Sequence, residues 1–166
     1  MKLSPNFDLR EFVPKSTFLK YGTSSTWFVK KEIIEIAEFY KSFFLDYFKK
    51  KHGNDKVTNV LIVANNWHNG GGKQYSGYRP PEYTEGAKES QHRAFNAFDC
   101  EIIVVYSDGK RIEVDYAEIH KVILANEALF LSKGVKCIES LKDAPTWLHT
   151  DIRFIPNQTK ILIVNK

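Results

Sequence analysis

The sequence predicts an α+β domain: an antiparallel sheet flanked by helices, with one long helix behind it. Three observations lead there. Apolar residues at Ile33, Ile36, Ala37, Tyr40, Phe43, Phe44, Tyr47 and Phe48 recur at three and four, the helical period. Runs over 57–64, 98–106, 135–141, 146–154 and 161–164 read as short strands, several of them rich in β-branched residues. The order of helices and strands along the chain is that of an α+β fold.

Pro5 and Pro14 break long regular elements, so residues 1–24 are expected to form an irregular arm, anchored by Phe7, Leu9 and Phe12. Ser24, Ser25 or Thr26 can cap the long helix, which is expected to run to about Lys51 and end at Gly53. Its aromatic stripe reads as core packed on a sheet rather than as a ligand groove. After the 57–64 strand comes the glycine-rich stretch Asn65-Asn66-Trp67-His68-Asn69-Gly70-Gly71-Gly72. It lacks the lysine-serine ending of a phosphate loop, which argues against nucleotide binding. His68 is either a surface-loop histidine or a further imidazole near the site described below; the first is the simpler reading. A turn at Ser107-Asp108-Gly109-Lys110 follows the 98–106 strand. Residues 114–131 are predicted mostly helical, with a break near Asn126. Runs 135–141 and 146–154 flank Lys142-Asp143-Ala144-Pro145 and predict a hairpin, and 161–164 closes the sheet. There is no internal repeat and no linker.

At 166 residues the chain fits a single domain, 1–166, large enough for a proper core. Hydrophobic and aromatic fractions of 43% and 14% exclude a disordered chain. A net charge of +4 is compatible with an anionic cell-wall polymer as partner but does not require one. Nucleic acid is not expected, because no basic run is interleaved with aromatics; Lys49-Lys50-Lys51-His52 reads as the cationic end of a helix. No stretch approaches the roughly 18 apolar residues of a transmembrane helix. Met1-Lys2-Leu3-Ser4-Pro5 lacks the apolar core of a secretory signal, so synthesis in the cytoplasm is expected. Cys100 and Cys137 have no motif spacing and are expected to be buried, reduced thiols. Oligomeric state is not legible in the pattern.

The chemistry concentrates in residues 76–99. Tyr78-Arg79-Pro80-Pro81 is a stiff turn carrying one cation, Ser90-Gln91-His92 delivers an imidazole, and Asp99 stands at the start of a strand. A second histidine arrives in Trp147-Leu148-His149-Thr150-Asp151-Ile152-Arg153. Two histidines and a carboxylate are a common catalytic zinc set, because three protein ligands leave a fourth position open. His149, Asp151 and Arg153 are spaced by two, so in a strand they share one face, and Trp147 shares their parity.

This ordered set resembles the zinc D-Ala-D-Ala carboxypeptidases and related phage endolysins, the superfamily that includes the hedgehog signalling domain. Their motif S-x-H-x-x-G-x-A-x-D is matched by Ser90, His92, Ala97 and Asp99. Arg79 in Ser76-Gly77-Tyr78-Arg79 matches their Gly-Tyr-Arg turn, and His149 matches the last ligand. Asn6-Phe7-Asp8-Leu9-Arg10-Glu11-Phe12 is similar to the opening of several phage-type members. Phe95 replaces the family glycine, where a glycine-only backbone would be costly.

The resemblance implies one zinc ion held by His92, Asp99 and His149. It implies a peptidase cutting a D-Ala-D-Ala or L-Ala-D-Glu bond of peptidoglycan, and an enzyme released by a holin or carried in a virion. Arg79 would bind a substrate carboxylate or steady the oxyanion, Ser90 would help through its hydroxyl or brace its loop, and Trp147 would wall the cleft. Many relatives carry an acid three residues before the last histidine; here that residue is Thr146, which cannot act as a base. Two carboxylates remain. Glu139 lies across the predicted hairpin from His149 if the hairpin is centred near Ala144. Asp151 is the alternative base, or else a partner that orients a ligand histidine or pairs with Arg153. The competing expectation is a protein that keeps the fold and the metal but has lost turnover, as a binding or phage structural component.

Overall fold

A computed structural model describes residues 1–87 and 89–165. The long helix predicted from the aromatic period is α2 (Lys31–His52), preceded by α1 (Lys15–Tyr21). Gly53, at φ 115°, ends α2, and its N–H returns to the Lys49 carbonyl. The start differs from expectation. Ser24, Ser25 and Thr26 lie in a 3-10 segment, Gly22–Phe28, and α2 begins after Lys30 with no side-chain cap. Two of these hydroxyls are engaged locally: Ser25 Oγ donates to the Thr17 carbonyl and Thr26 Oγ1 to that of Thr23. The arm is also more regular than expected. Pro14, whose ring fixes φ and whose ψ is extended at 158°, sits at the N-cap of α1 and precedes a helix instead of breaking one.

Six strands among the described residues form one sheet: β1 (Val57–Val63), β2 (Ala97–Tyr106), β3 (Arg111–Glu113), β4 (Cys137–Glu139), β5 (Leu148–Asp151) and β6 (Leu162–Val164). Their order is β1-β2-β5-β4-β6, with β3 also on β2. Every pair is antiparallel except β4 with β6, which run parallel, so the sheet is mostly antiparallel. β3 was not foreseen: three exposed residues are too short a run to establish a strand period. Helices α3 (Tyr116–Ala125) and α4 (Glu127–Ser132) are separated at Asn126, as predicted, and Asp115 caps α3. No described helix is long and apolar enough to cross a membrane.

Alternation along β2 decides which groups face the site. Phe98, Cys100, Ile102 and Val104 are buried on the inner face beneath α2, while Asp99, Glu101 and Ile103 are only partly buried on the outer one. Tyr40, Phe44 and Phe130 complete an aromatic core with Phe98. Each such ring contributes about 1.5–3 kcal/mol by leaving water. The Tyr40 hydroxyl is satisfied by Thr150 Oγ1 at 2.8 Å, tying α2 to β5. Phe7, Leu9 and Phe12 anchor the arm as expected, and Cys100 and Cys137 are free, buried thiols. Burial pushes the Cys137 thiol up to about 12 and Cys100 well above its usual value.

Phe95 adopts the left-handed conformation, φ 49° and ψ 37°, and closes the 3-10 turn Gln91–Ala94 that carries His92. A non-glycine residue there costs about 1–2 kcal/mol. Its ring is 1% exposed and meets Phe12 edge-on at 6.1 Å, which offsets that cost. Phe95→Gly is therefore expected to destabilise the fold by about 1–4 kcal/mol, since truncating a buried Phe costs about 3–5 kcal/mol and relieves about 1–2 kcal/mol of strain. Urea unfolding measures it; a gain in stability would mean that strain outweighs packing.

Candidate metal centre

Three chain segments meet on the outer face of the sheet. Asp99 on β2 pairs in register with His149 on β5. On the other side of β5, Cys137 pairs with Asp151 and Ile138 with Thr150, so the register is centred on Ala144. Its next rung sets Glu139 against His149. Asp99, His149 and Glu139 thus form one row across three strands, and cross-strand neighbours in a row share a face. His92 comes from the turn ahead of β2.

The N-terminal arm holds that turn in place. Tyr78 N–H donates to the Phe12 carbonyl at 2.8 Å, and Arg79 N–H to that of His92 at 3.1 Å. Gly77, which precedes them, passes so close to Phe12 that an added Cβ would fall 2.2 Å from its carbonyl oxygen. Only glycine allows this approach. The Gly77 carbonyl in turn lies 2.8 Å from His92 Nδ1. A carbonyl only accepts, so Nδ1 carries the hydrogen and Nε2 keeps its lone pair.

That tautomer bears on what the site can hold. His92 Nε2 lies 3.4 Å from Asp99 Oδ1, so two acceptors face one another, an arrangement a cation resolves. His149 Nδ1 lies 2.7 Å from the same oxygen. One ligand atom from each of His92, Asp99 and His149 lies within 4.8 Å of the others, so this buried group can hold a metal ion. Its donor set fits the role, and so do the partners around it. The second Asp99 oxygen, Oδ2, accepts from Arg79 Nη2 at 2.7 Å, leaving Oδ1 turned to the histidines. Arg79 Nε donates to the Tyr75 carbonyl at 2.7 Å, which locks the guanidinium. His149 Nε2 faces Asp151 Oδ2 at 3.5 Å.

The electrostatics follow from these contacts. Burial alone would raise the Asp99 carboxyl, but the His92 and His149 imidazoles hold it far below the usual carboxylate range. Burial keeps His92 below its ordinary value, only partly offset by Asp99. For His149, burial is outweighed by the Asp151 and Asp99 carboxylates, and its pKa rises to about 9. Asp151 is fully buried and clasped by Arg153, whose Nε lies 2.9 Å from Oδ1 and whose Nη2 lies 2.5 Å from Oδ2. Burial would lift its carboxyl; His149 and Arg153 drive it well down instead.

Two cavities open beside the cluster. One, of about 290 Å³, is lined by Arg79, Ser90, His92, Asp99, Glu139 and His149 among others. Glu139 thus joins the cavity, whereas Asp151 does not line it. The second, of about 330 Å³, shares Arg79 and Asp99 with the first and is walled by Trp147, Thr146, Tyr75 and Tyr83. His68 stands apart in the turn Trp67–Asn69, beside the Trp67 ring, and is not a member of the cluster. Sequence reasoning missed Tyr75 and Tyr83, which stack at 4.1 Å, and the Gly77–His92 contact. Tyrosines bracketing the Arg79-Pro80-Pro81 turn were the available signal for the pair. No protein-family model, no curated protein and no solved structure matches the chain.

Proposed function

We propose that the chain is a zinc-dependent peptidase of the hedgehog/D-Ala-D-Ala peptidase type, hydrolysing an amide bond of the peptidoglycan stem peptide. The observation that supports this best is the row Asp99–His149–Glu139, with His92 completing a three-residue set that could hold the ion and the Glu139 carboxylate lining the same cavity. His92, Asp99 and His149 hold the ion, and zinc bound there supplies Lewis-acid activation of water and of a carbonyl oxygen.

This chain's residues perform the rest. Glu139, in the cavity and opposite His149, takes the proton from the attacking water and returns it to the leaving amine. Asp151, closed off by Arg153, orients the His149 ring and is not the base. Arg79 keeps Asp99 oriented, and its position on both cavities lets its remaining N–H groups meet a substrate oxygen. Ser90 lines the cavity and begins the turn that carries His92.

Purified peptidoglycan incubated with the zinc-loaded protein is expected to release new amino termini. Chelation should stop the release, and added zinc should restore it. Absence of new termini at enzyme levels that digest the polymer fully with a known endolysin would leave a metal-binding module without turnover.

A further inference from the structure

We infer that the surface formed by α1 and the 3-10 segment Gly22–Phe28 docks on an anionic lipid bilayer. This goes beyond the peptidase reading and does not depend on it. Three large apolar side chains are exposed there: Leu19 is 72% exposed, Tyr21 39% and Trp27 81%. Single exposed apolar residues are ordinary, but a group gathered on one surface marks an interaction site. These are gathered, because the Tyr21 and Phe28 rings meet at 5.4 Å and close the two ends of the 3-10 segment on each other. Trp27 adjoins Phe28, and Leu19 is two residues from Tyr21. The inner side of the same segment is firmly held. Phe18 meets the Trp67 ring at 5.9 Å, Phe28 stacks on Tyr78 at 4.8 Å, and Ser25 and Thr17 are buried against each other. On α1 the exposed positions Lys15, Ser16, Leu19 and Lys20 share one stripe of the helix.

Charge selects the partner. From Phe12 to Lys31 the chain has four lysines and no Asp or Glu. Lys31 is paired with Glu35 and contributes little. Lys30 contacts the neutral side chain of Asn96, and Lys20 sits over the Tyr21 ring at 5.0 Å. Glu82 acts on Lys20 without forming an ion pair with it, and Lys15 has no carboxylate partner among the described residues. The surface therefore keeps a positive excess around its apolar group. An anionic bilayer takes both at once. Trp and Tyr rings settle at headgroup level, Leu reaches the acyl boundary, and lysine stems lie along apolar surface with their ammonium groups at lipid phosphates. A nucleic acid or an acidic polymer would satisfy the lysines and leave Leu19 in water. A second copy meeting this surface with its own would set lysine against lysine.

The test is co-sedimentation of the full chain with vesicles of phosphatidylcholine alone or of an equimolar mixture with phosphatidylglycerol. The mixed vesicles are expected to bind at least about 10-fold more tightly, since each lysine near an anionic surface contributes about fivefold. Of the three tryptophans only Trp27 is exposed, so its emission should shift to the blue on binding and be quenched by brominated acyl chains. Trp27→Ala should remove both signals and weaken binding about 10-fold. Lys15→Glu with Lys20→Glu should remove the preference for anionic vesicles. Lys50→Glu with Lys56→Glu makes the same charge change at the far end of α2, about 30 Å from Lys30, and should leave the preference in place. All of these side chains are exposed, so unchanged melting temperatures report an intact fold. Equal binding to both vesicles, equal loss in the two lysine pairs, or quenching that persists in Trp27→Ala overturns the proposal. So does self-association that Trp27→Ala abolishes in a chain that ignores vesicles, which would give the surface to a second copy.

Discussion

Glu139→Gln is expected to keep its zinc and its fold while peptidoglycan cleavage falls by about 10²–10⁴-fold, the scale of general base catalysis. The amide preserves the shape of the side chain and removes its ability to take a proton. Zinc should remain because Glu139 is outside the His92, Asp99 and His149 group. Asp151→Asn makes the informative contrast. Its carboxylate is fully buried under Arg153 and touches His149 from behind, so its loss should cost about 10–100-fold through a less well-held ligand, in metal affinity as well as rate. Steady-state kinetics with zinc analysis on both variants measures the ranking. A larger rate loss for Asp151→Asn with zinc fully retained would transfer the base to Asp151. Full activity in both would remove the carboxylate base from the reading.

Replacing His92, Asp99 or His149 by Ala is expected to abolish stoichiometric zinc and with it the stabilisation that zinc confers. Metal binding to the folded chain alone adds to folding free energy, about 4 kcal/mol at 1,000 times Kd. The effect should depend on pH in a defined direction. In the metal-free protein the His149 pKa is raised to about 9, so its proton stabilises that fold fully below the unfolded value of about 6.5. This contribution fades as pH rises through about 9. Zinc must displace the same proton, so the zinc-induced rise in Tm should be small near pH 6 and grow towards pH 9. Asp99, held far below its usual range, stays ionised throughout and adds no slope there. Melting curves with and without zinc across that range check the prediction. A flat zinc effect, or stoichiometric zinc in all three variants, would place the metal elsewhere.

Much of the architecture was already set by local sequence pattern. The three-and-four spacing of α2, the β-branched runs of β1 and β2 and the break at Asn126 are short-range signals, and each produced the element expected. Strand parity and a turn centred on Ala144 were enough to place Glu139 opposite His149, because a hairpin register follows from its turn. The prediction failed where local rules compete. Hydroxyls at Ser25 and Thr26 turned to nearby carbonyls rather than capping α2, and β3, three exposed residues, is too short to show a period. The parallel docking of β6 on β4 depends on a long connection that no local pattern specifies.

The site divides in the same way. Residue types and order nominated His92, Asp99 and His149, but which atoms face each other is a matter of packing between distant segments. Gly77 must pass against Phe12 before its carbonyl can fix the His92 tautomer. Arg79, expected from the resemblance to meet a substrate carboxylate or oxyanion, is bound to Asp99, and Asp151 is enclosed by Arg153 two residues away. Nothing in the spacing could rank Glu139 above Asp151. Their surroundings differ in the fold, where Glu139 lines the cavity and Asp151 lies under Arg153, and only tertiary packing determines that.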